Sequence, residues 1–347
     1  MSRPRVAFVG AGSWGTSMAS VVAGKGEAEV MIWARRAELA ETINLYHENP
    51  PYLPDIILPE SLRASNDLEE VLEGAEVVVM AVPSHGFRAV LTEVAEIVDG
   101  APCCYVSLTK GLEVDTRKRM SEVISDVVQD VHPRDVAVLT GPNLAKEIAQ
   151  GFPAASTIAC ADDERATFLQ ELIHTDRFRC YRNTDVAGSE IGGALKNVVA
   201  IAAGIADGLG FGDNTKATVV TRGLAEMARF GVAFGAQPLT LLGLAGVGDL
   251  MATCASPQSR NHTVGIELGK GRSIEDIISS MSMVAEGVKS CKPIYELGRE
   301  RDVWMPITEN VVQICHEGAS VDEMVRDLLS REVRAEFEGV SMTPPES

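Results

Sequence analysis

The sequence predicts a two-domain protein in which a doubly wound, mostly parallel α/β sheet is followed by an all-helical domain. In the first half, short β-branched runs alternate with longer helical patterns, which is typical of a parallel sheet with helices on both faces. From about Gly188 onward, apolar residues recur at helical spacing among many small residues. The length of 347 residues also exceeds the usual size of a single domain.

Seven strand-like runs define the predicted sheet. They are Val6–Gly10, Val30–Ala34, Val77–Val82, Cys103–Leu108, Val136–Gly141, Ala155–Ala161 and Phe178–Arg182. A helix around Arg165–His174 lies between the last two runs, so we expect the sheet to continue to about residue 185. The first domain is therefore predicted to span residues 1–187.

The second domain is predicted to span residues 188–334. Its predicted helices are Ala194–Ala206, Val219–Phe230, Ile274–Met281, Lys289–Glu300 and Val321–Leu329. Ser273, with Asp276 three positions later, is typical of a capped helix start. Residues 335–347 lose hydrophobic density and contain Pro344 and Pro345, which predicts a frayed tail.

Charge and cysteine content restrict the partners and the compartment. The formal net charge of −18 repels nucleic acid phosphates and anionic membranes, and no Lys or Arg run offers a local exception. Seven scattered cysteines without a CxxC pair favour a reducing compartment. The apolar stretches are broken by Gly, Pro or charge before the roughly 18 residues of a membrane span. We therefore expect a cytoplasmic protein with no nucleic acid partner and no membrane insertion.

The first strand runs into a glycine motif, GAGSWG, that matches GxGxxG and is followed by a helical stretch. Gly10 would permit the tight turn, Gly12 the approach of a pyrophosphate, and Gly15 close packing of helix on strand. The other interpretation is an ordinary glycine-rich turn. Because strand, motif and helix occur in the required order, we interpret the first domain as a Rossmann domain that binds a dinucleotide.

The residue that selects between NAD and NADP is expected at the end of the second strand. That place holds Arg35 and Arg36 rather than an acidic residue that would bind the ribose 2′-hydroxyl. Two guanidiniums suit a 2′-phosphate, although a solvated pair opening the next helix is the alternative. The sequence therefore favours NADPH/NADP, with NADH/NAD still open.

Ligands of an open α/β sheet bind beyond the carboxyl ends of its strands, so residues 82–85, 107–111 and 140–146 are candidate loops. Lys110, between a strand and Gly111, could meet a phosphate or a carbonyl oxygen; the alternative is a surface lysine. His85 better fits a loop or cap residue than a catalyst. The other histidines do not cluster with Cys or carboxylates, so no metal site is expected.

The predicted helical domain adds further polar candidates. Lys196 is the one lysine in a run nearly free of charge, where burial would lower its pKa and suit it to proton transfer; an amine that reaches water is the alternative. A glycine-rich bend ends at Asp249, with Thr253 one helical turn later. Residues 259–261 then combine hydroxyl, guanidinium and amide donors, which suit a phosphate or carboxylate; an N-capped helix start is the alternative.

Several blocks, in order, resemble the bacterial NAD(P)-dependent glycerol-3-phosphate dehydrogenase family. The blocks run from GAGSWGT through VPSH, SLTKGLE, TGPNLAKE, GGALKNVVAIAAGIADGLGFGDNTKA, GLAGVGDL and SPQSRN to MVAEGV, and together they cover nearly the whole chain. The resemblance implies that Lys196 donates and accepts the proton and that Lys110 and Asp249 complete the catalytic cluster.

The same resemblance implies the binding residues. Those for the substrate would be Lys110, Gly141, Asn143, Lys196, Asn197, Asp249, Thr253, Ser259, Arg260 and Asn261, with the last three at the phosphate end. Those for the cofactor, beside the three glycines, would be Ser13, Trp14, Arg35, Arg36, Tyr52, Lys110, Ala145, Arg260, Val284 and Glu286. Family members usually have Ser where Asn143 stands and Gln where His85 stands; an Asn amide can still donate a hydrogen bond.

The implied reaction is the reversible reduction of dihydroxyacetone phosphate to sn-glycerol 3-phosphate, for glycerophospholipid synthesis. Hydride would add to C2 while Lys196 protonates the developing alkoxide. Two alternatives differ in their requirements. A β-hydroxyacid dehydrogenase would bind a carboxylate, and the phosphate-sized cluster at residues 259–261 argues against it. A silent NADPH sensor would need neither Lys110 nor Lys196. A homodimer through helical surfaces is a family-level expectation.

Overall fold

The computed structural model describes residues 3–100, 103–281, 285–330 and 335. The chain forms two units. The α/β unit contains the chain up to Thr109 together with Met120–Val186, and the helical unit contains Lys110–Arg119 together with the chain from Ala187 onward. Beside the predicted first domain of residues 1–187, the segment Lys110–Arg119 groups with the helical unit and the α/β unit ends at Val186.

Ten strands occur in the described chain. In chain order they are β1 Arg5–Val9, β2 Glu29–Trp33, β3 Glu48–Asn49, β4 Leu53–Ile57, β5 Arg63–Ser65, β6 Val77–Met80, β7 Cys104–Ser107, β8 Val136–Thr140, β9 Ala154–Cys160 and β10 Phe178–Asn183. Eight strands form one sheet in the order β10-β9-β8-β7-β6-β1-β2-β5, and β3 pairs with β4 as a separate hairpin. The pairs of the large sheet are parallel except β8 with β9.

The predicted fold class is confirmed: a mostly parallel sheet with helices precedes a helical unit. Each of the seven predicted strands exists, with ends that differ by at most two residues. The sequence analysis missed β3, β4 and β5, because these strands are short and lack an alternating apolar run. The sheet order places β1 between β2 and β6, so the chain reverses direction across the sheet immediately beyond β1. Ligands of such sheets bind at this switch point.

Both faces of the sheet are buried. Along β1, Val6 and Phe8 belong to one apolar core, whereas Ala7 and Val9 belong to the core on the opposite face. The helices of this unit are α1 Ser13–Lys25, α2 Ala37–Tyr46, α3 Leu68–Leu72, α4 Ser84–Val98, α5 Met120–Val127, α6 Ala145–Ala149 and α7 Asp163–Ile173. Burial on both faces explains why the central strands read as nearly continuous apolar runs.

The helical unit is built around one long helix. Its helices are α8 Val186–Gly208, α9 Asp213–Ala233, α10 Pro238–Leu241, α11 Asp249–Ala255, α12 Arg260–Gly269, α13 Ile274–Ser280, α14 Glu286–Glu300, α15 Pro306–His316 and α16 Val321–Ser330. Every residue of α8 from Gly188 to Ala206 is buried, as expected for a helix that is apolar all round. The predicted cap at Ser273 is confirmed, since its hydroxyl accepts from the Asp276 amide at 3.2 Å.

Two segments of the described chain, Val186–Gly208 and Pro238–Ala255, are long and apolar enough to meet the length and composition test for a membrane span. The expectation that every apolar stretch is interrupted too early was therefore wrong. Glycine does not interrupt α8, and two charged residues within an 18-residue window still leave its mean hydropathy at 1.2. The first segment is 89% buried inside the protein, as the core helix of a folded unit would be, and the second is 44% buried.

Helix α15 was not predicted, and a buried carboxylate on α9 explains its start. Glu226 accepts from the backbone amides of Ile307 and Thr308 at 2.5 and 3.1 Å and from the Thr308 hydroxyl at 2.9 Å. The first amides of a helix have no intrahelical partner, so a carboxylate at that end stabilises it. The partner comes from a distant segment and leaves no local pattern near residue 306.

We expect Glu226→Gln to lower the free energy of unfolding by about 1–3 kcal/mol, because the amide replaces one acceptor with a donor facing buried N–H groups. Urea unfolding at neutral pH measures the change. Glu93→Gln, at an exposed position in the middle of α4, is the matched control and should shift the midpoint little. Equal midpoints for the two variants would contradict the capping role.

Candidate active site

The glycine-rich loop connects β1 to α1. Gly10 has a φ of 119°, a conformation that favours glycine. A methyl group on Gly15 would lie 2.1 Å from the Gly10 carbonyl oxygen, so a side chain there would push the helix away from the loop. At Gly12, apart from its chain neighbours, no heavy atom of the described chain lies within 4 Å of where a Cβ would stand. Helix α1 thus begins at an open position, which suits a pyrophosphate.

Three of the cofactor candidates lie together beside this loop. The Ser13 hydroxyl donates to the Tyr52 carbonyl oxygen at 2.9 Å, and the Arg36 guanidinium lies 5.9 Å from the centroid of the Tyr52 ring. The indole N–H of Trp14 is buried and has no hydrogen-bond partner among the described residues. An aromatic ring under a guanidinium, next to the dinucleotide loop, is a suitable surface for an adenine.

Arg35 and Arg36 are both exposed at the start of α2. In the part of the chain that the structure describes, neither takes part in an ion pair. Their charges are therefore not neutralised by a neighbouring carboxylate, as the binding of a 2′-phosphate requires. The same exposure is compatible with the solvated pair considered above.

Loops at the carboxyl ends of the strands carry the next candidates. The Thr109 hydroxyl donates to the Val82 carbonyl oxygen at 2.6 Å and ties two of these loops together. The Ser17 hydroxyl donates to the Ala145 carbonyl oxygen at 2.8 Å, which fixes the start of α6 against α1. His85 is exposed in the first turn of α4, as expected for a cap-region residue.

Asn143, the residue that departs from the family pattern, has a distinct arrangement. Its amide oxygen accepts a hydrogen bond from the Ser156 hydroxyl on β9. Its amide nitrogen is buried and has no partner within the described residues. Gly141, with a φ of 140°, turns the chain just before it. A buried donor without a partner is costly, so this amide is suited to a ligand that carries an acceptor.

Lys110, Lys196 and Asp249 meet in the helical unit. The ammonium of Lys110 lies 2.6 Å from Asp249 Oδ2, and that of Lys196 lies 3.0 Å from Asp249 Oδ1. Lys196 also donates to the Thr253 hydroxyl at 2.7 Å. The Asp249 side chain is 2% exposed, so both of its oxygens are used inside the protein. The side chain of Lys196 is 9% exposed, and its ammonium contacts Asp249 and Thr253 inside the protein instead of extending into water.

The local folds explain how three separate segments supply this cluster. Lys196 lies midway along α8, and Asp249 is the first residue of α11, after a π-helical turn at Leu244–Gly248. A methyl group on Gly192 would lie 2.3 Å from the carbonyl oxygen of Ala245, so the missing side chain lets α8 and this turn touch. Asp249 and Thr253, one helical turn apart, face the same side.

The charges of the cluster are unequal. With both lysines protonated, two ammonium groups share one carboxylate, which leaves one net positive charge in a buried place. Burial lowers the pKa of Lys110 from its ordinary value of 10.5 to about 8; the charge of Asp249 opposes this shift and that of Lys196 adds to it. Such a site attracts an anionic ligand and stabilises negative charge that develops on it.

A chain of amide hydrogen bonds lies beside the cluster. Asn261 donates to the side-chain oxygen of Asn197 at 2.8 Å, and its own oxygen accepts from the Gly287 amide at 2.9 Å. Both side chains are buried. The network connects the starts of α12 and α14 to α8, one residue after Lys196.

Ser259 and Arg260 stand at the start of α12. Ser259 is its N-cap, and its hydroxyl accepts from the His262 amide at 3.2 Å; this capping bond does not use the O–H, which can still donate to a ligand. Desolvation by the surrounding protein lowers the pKa of the Arg260 guanidinium, and the carboxylate of Glu286 opposes that shift. Val284, the remaining cofactor candidate, lies outside the described residues.

The predicted residues thus fall into two groups. The helical unit holds Lys110, Lys196, Asp249, Thr253, Asn197, Ser259, Arg260, Asn261 and Glu286, and the α/β unit holds Gly10, Gly12, Ser13, Trp14, Gly15, Arg35, Arg36, Tyr52, Gly141, Asn143 and Ala145. Sequence reasoning missed Ser17 and Ser156, which hold two of these loops. A serine has no distinctive pattern, so no signal in the sequence marked them.

Comparison with known proteins decides the family. The models of the N-terminal and C-terminal parts of NAD-dependent glycerol-3-phosphate dehydrogenase match residues 5–166 and 185–326. A protein from Streptomyces griseus named glycerol-3-phosphate dehydrogenase [NAD(P)+] is 52% identical over 97% of this chain and 99% of its own length. The chain belongs to the NAD-dependent glycerol-3-phosphate dehydrogenase family. The resemblance inferred from the sequence blocks is confirmed.

Further members of the family agree in sequence and in fold. A protein of the same name from Nocardia farcinica is 51% identical over 96% of this chain and 99% of its own length. The crystal structure of glycerol-3-phosphate dehydrogenase from Coxiella burnetii superposes with a TM-score of 0.88 at 37% identity, covering 94% of this chain and 98% of that one. Family membership therefore extends over both units.

We expect substitutions around Lys110 to move its pKa in opposite directions. Asp249→Asn should lower it below about 8, because the carboxylate charge raises it, whereas Lys196→Met should raise it, because the second ammonium lowers it. The pH dependence of acetic anhydride labelling at Lys110, read by mass spectrometry, measures both shifts. Labelling of exposed Lys270 should be the same in all three proteins. Shifts of the same sign would show that the cluster does not act electrostatically.

Proposed function

We propose that this chain is an NAD(P)-dependent oxidoreductase that reversibly reduces dihydroxyacetone phosphate to sn-glycerol 3-phosphate. Family membership supports the substrate class and the use of either NAD or NADP, since the relatives carry the name glycerol-3-phosphate dehydrogenase [NAD(P)+]. The observation that carries the proposal is the buried contact of Lys110 and Lys196 with Asp249. That contact supports the proposal because it offers a proton donor and a net positive charge to a carbonyl oxygen that is being reduced.

The residues of the α/β unit fit a dinucleotide. Gly12 stands at an open position, and the absence of a side chain at Gly15 lets α1 pack against the loop. Arg35 and Arg36 are exposed without an ion-pair partner in the described chain. Ser13, Trp14, Tyr52 and Ala145 complete the proposed cofactor contacts of this unit, and the family resemblance assigns Arg260, Val284 and Glu286 to the cofactor as well. When bound, the nicotinamide supplies the hydride to the substrate.

Lys196 supplies the proton in this proposal. Its ammonium faces the substrate C2 oxygen, which gains negative charge as hydride arrives, and it returns to the neutral amine on giving up a proton. Lys110 adds a second positive charge to the same oxygen. Asp249 keeps the two ammoniums apart by holding one on each carboxylate oxygen, and Thr253 accepts from Lys196 to fix its direction.

The polar residues near the start of α12 hold the rest of the substrate. Arg260 pairs with the phosphate, while Ser259 and Asn261 donate to it from the same turn. Binding energy from the phosphate orients the reacting carbonyl. Gly141 and Asn143 of the α/β unit and Asn197 of the helical unit are the remaining proposed substrate contacts, with the unpartnered Asn143 amide as a donor.

We also propose the setting in which this activity operates. The product is a precursor for glycerophospholipid synthesis, and the chain acts in the cytoplasm. All seven cysteines are buried without a disulfide, as suits a reducing compartment. A homodimer would form through the helical unit, where Leu239, Leu242 and Met251 expose 74%, 59% and 61% of their surfaces.

The double variant Arg35→Ala/Arg36→Ala should raise the KM for NADPH by about tenfold or more and leave the KM for NADH nearly unchanged. The reason is that hydrogen bonds to a charged group are worth about 1.5–3 kcal/mol, and only NADPH carries the 2′-phosphate. Initial rates with dihydroxyacetone phosphate measure both constants. Arg179→Ala, an exposed arginine of the same unit, is the control. Equal effects on the two cofactors would assign the arginines another role.

Lys196→Met preserves most of the stem but removes the charge and the proton. We expect kcat to fall by at least about 10²–10⁴-fold, the usual contribution of general acid catalysis. Binding of NADPH, followed by its fluorescence, should persist because the glycine-rich loop is intact. Lys270→Met, at an exposed position, should retain full activity. Near-normal kcat in Lys196→Met would mean that the proton comes from another group, with Lys110 next.

A further inference from the structure

The segment Lys110–Arg119, here named the strap, leaves the sheet after β7 and packs with the helical unit. It closes on itself, because Leu112 and Arg119 form an antiparallel bridge and the Glu113 amide donates to the Lys118 carbonyl oxygen at 2.9 Å. Leu112 is 4% exposed within the apolar core of the helical unit. The strap is therefore a short hairpin-like turn with one apolar anchor and a catalytic lysine at its start.

Besides the Lys110–Asp249 contact, ion pairs of Arg119 and Arg117 connect the strap to helices. Arg119 lies 3.1 Å from Glu190 on α8, and the Glu190 side chain is only 3% exposed. Arg117 lies 2.5 Å from Glu300 at the end of α14, but these side chains are 31% and 55% exposed. Exposed pairs contribute little to stability or position, whereas a carboxylate removed from water depends strongly on its partner.

The buried pair is close to the reacting cluster. Glu190 and Lys196 lie on the same helix, about 9 Å apart along its axis at a rise of 1.5 Å per residue. One end of the strap is thus fixed to the helix that carries Lys196, while Lys110, at the other end, reaches Asp249. The two ammoniums repel each other, so Lys110 needs a fixed backbone in order to stay beside Lys196.

We propose that the Arg119–Glu190 ion pair is a positioning device that holds the strap on α8 and thereby keeps the Lys110 ammonium against Asp249. This inference depends on the proposed function only where it predicts a change in turnover. Arg119 and Glu190 act through Lys110 and do not touch the substrate. If the pair is broken, the strap loosens and Lys110 moves toward water.

Loosening the strap should raise the pKa of Lys110, which a loss of stability alone does not do. Burial is the main cause that lowers the Lys110 pKa to about 8. The charged groups that face it are Asp249, which raises the pKa, and Lys196, which lowers it. A lysine released into water returns toward its ordinary value near 10.5, so its labelling at neutral pH slows.

The test uses the full chain with Arg119→Met, Glu190→Gln and the milder Arg119→Lys, which keeps the charge but loses the planar fork. Arg117→Ala is the matched control, since it breaks the exposed pair on the same strap. For Arg119→Met and Glu190→Gln we expect kcat for dihydroxyacetone phosphate to fall about tenfold to 10²-fold, as a misplaced catalytic group does. The KM for NADPH should change less than twofold, and Arg119→Lys should lie between.

Acetic anhydride labelling, measured against pH well below each melting temperature, provides the second readout. The pKa of Lys110 should rise by at least one unit in Arg119→Met and Glu190→Gln and stay near 8 in Arg117→Ala. A lower melting temperature with an unchanged Lys110 pKa would overturn the proposal and leave a merely structural ion pair. If Arg119→Met does not fold, Arg119→Lys becomes the test. An unchanged kcat and an unchanged Lys110 pKa in Arg119→Lys would then contradict the proposal.

The two hypotheses fail in different ways. If the wild-type chain does not reduce dihydroxyacetone phosphate, the proposed function fails, yet the labelling of Lys110 still tests the strap. If the wild-type chain is active and the Arg119 and Glu190 variants keep both its kcat and its Lys110 pKa, only the positioning role fails.

Discussion

Asp249 shares its carboxylate between two lysine ammoniums, at 2.6 Å from Lys110 and 3.0 Å from Lys196, and the arrangement of the helical unit depends on this contact. Two cations and one anion in a buried place are unstable unless each is held by its own backbone. The chain meets that condition by placing them on three segments, namely the strap, α8 and α11. The net positive charge that results is what an anionic substrate and a developing alkoxide require.

Close contact of two helices fixes the other end of the site. A methyl group on Gly204 of α8 would lie 2.2 Å from the His262 carbonyl oxygen, and one on Gly265 of α12 would lie 2.1 Å from that of Ile201. Glycine on both helices lets their backbones touch. Because α8 carries Lys196 and α12 begins at Arg260, this crossing sets the distance between the proposed proton donor and the proposed phosphate anchor.

In the α/β unit, glycine also permits a close backbone contact, here between a loop and a helix. Gly15 lets α1 start against the loop after β1, and the sheet order places that loop where the chain reverses direction. Hydroxyl groups then tie neighbouring loops together, as Ser17 does for Ala145 and Thr109 for Val82. Rigid loops at the ends of buried strands are a suitable support for a dinucleotide.

The sequence by itself determined seven of the eight strands of the large sheet, the glycine-rich loop and the lysine in the apolar run of α8, because each follows from local periodicity or from a motif with a steric reason. Only the tertiary structure decided the rest. Asp249 lies far along the chain from Lys110, and Glu226 far from the helix start that it stabilises. Likewise, the strap leaves the sheet for the helical unit because of Leu112 and Arg119. Such contacts depend on packing between distant segments, which no short stretch of sequence encodes.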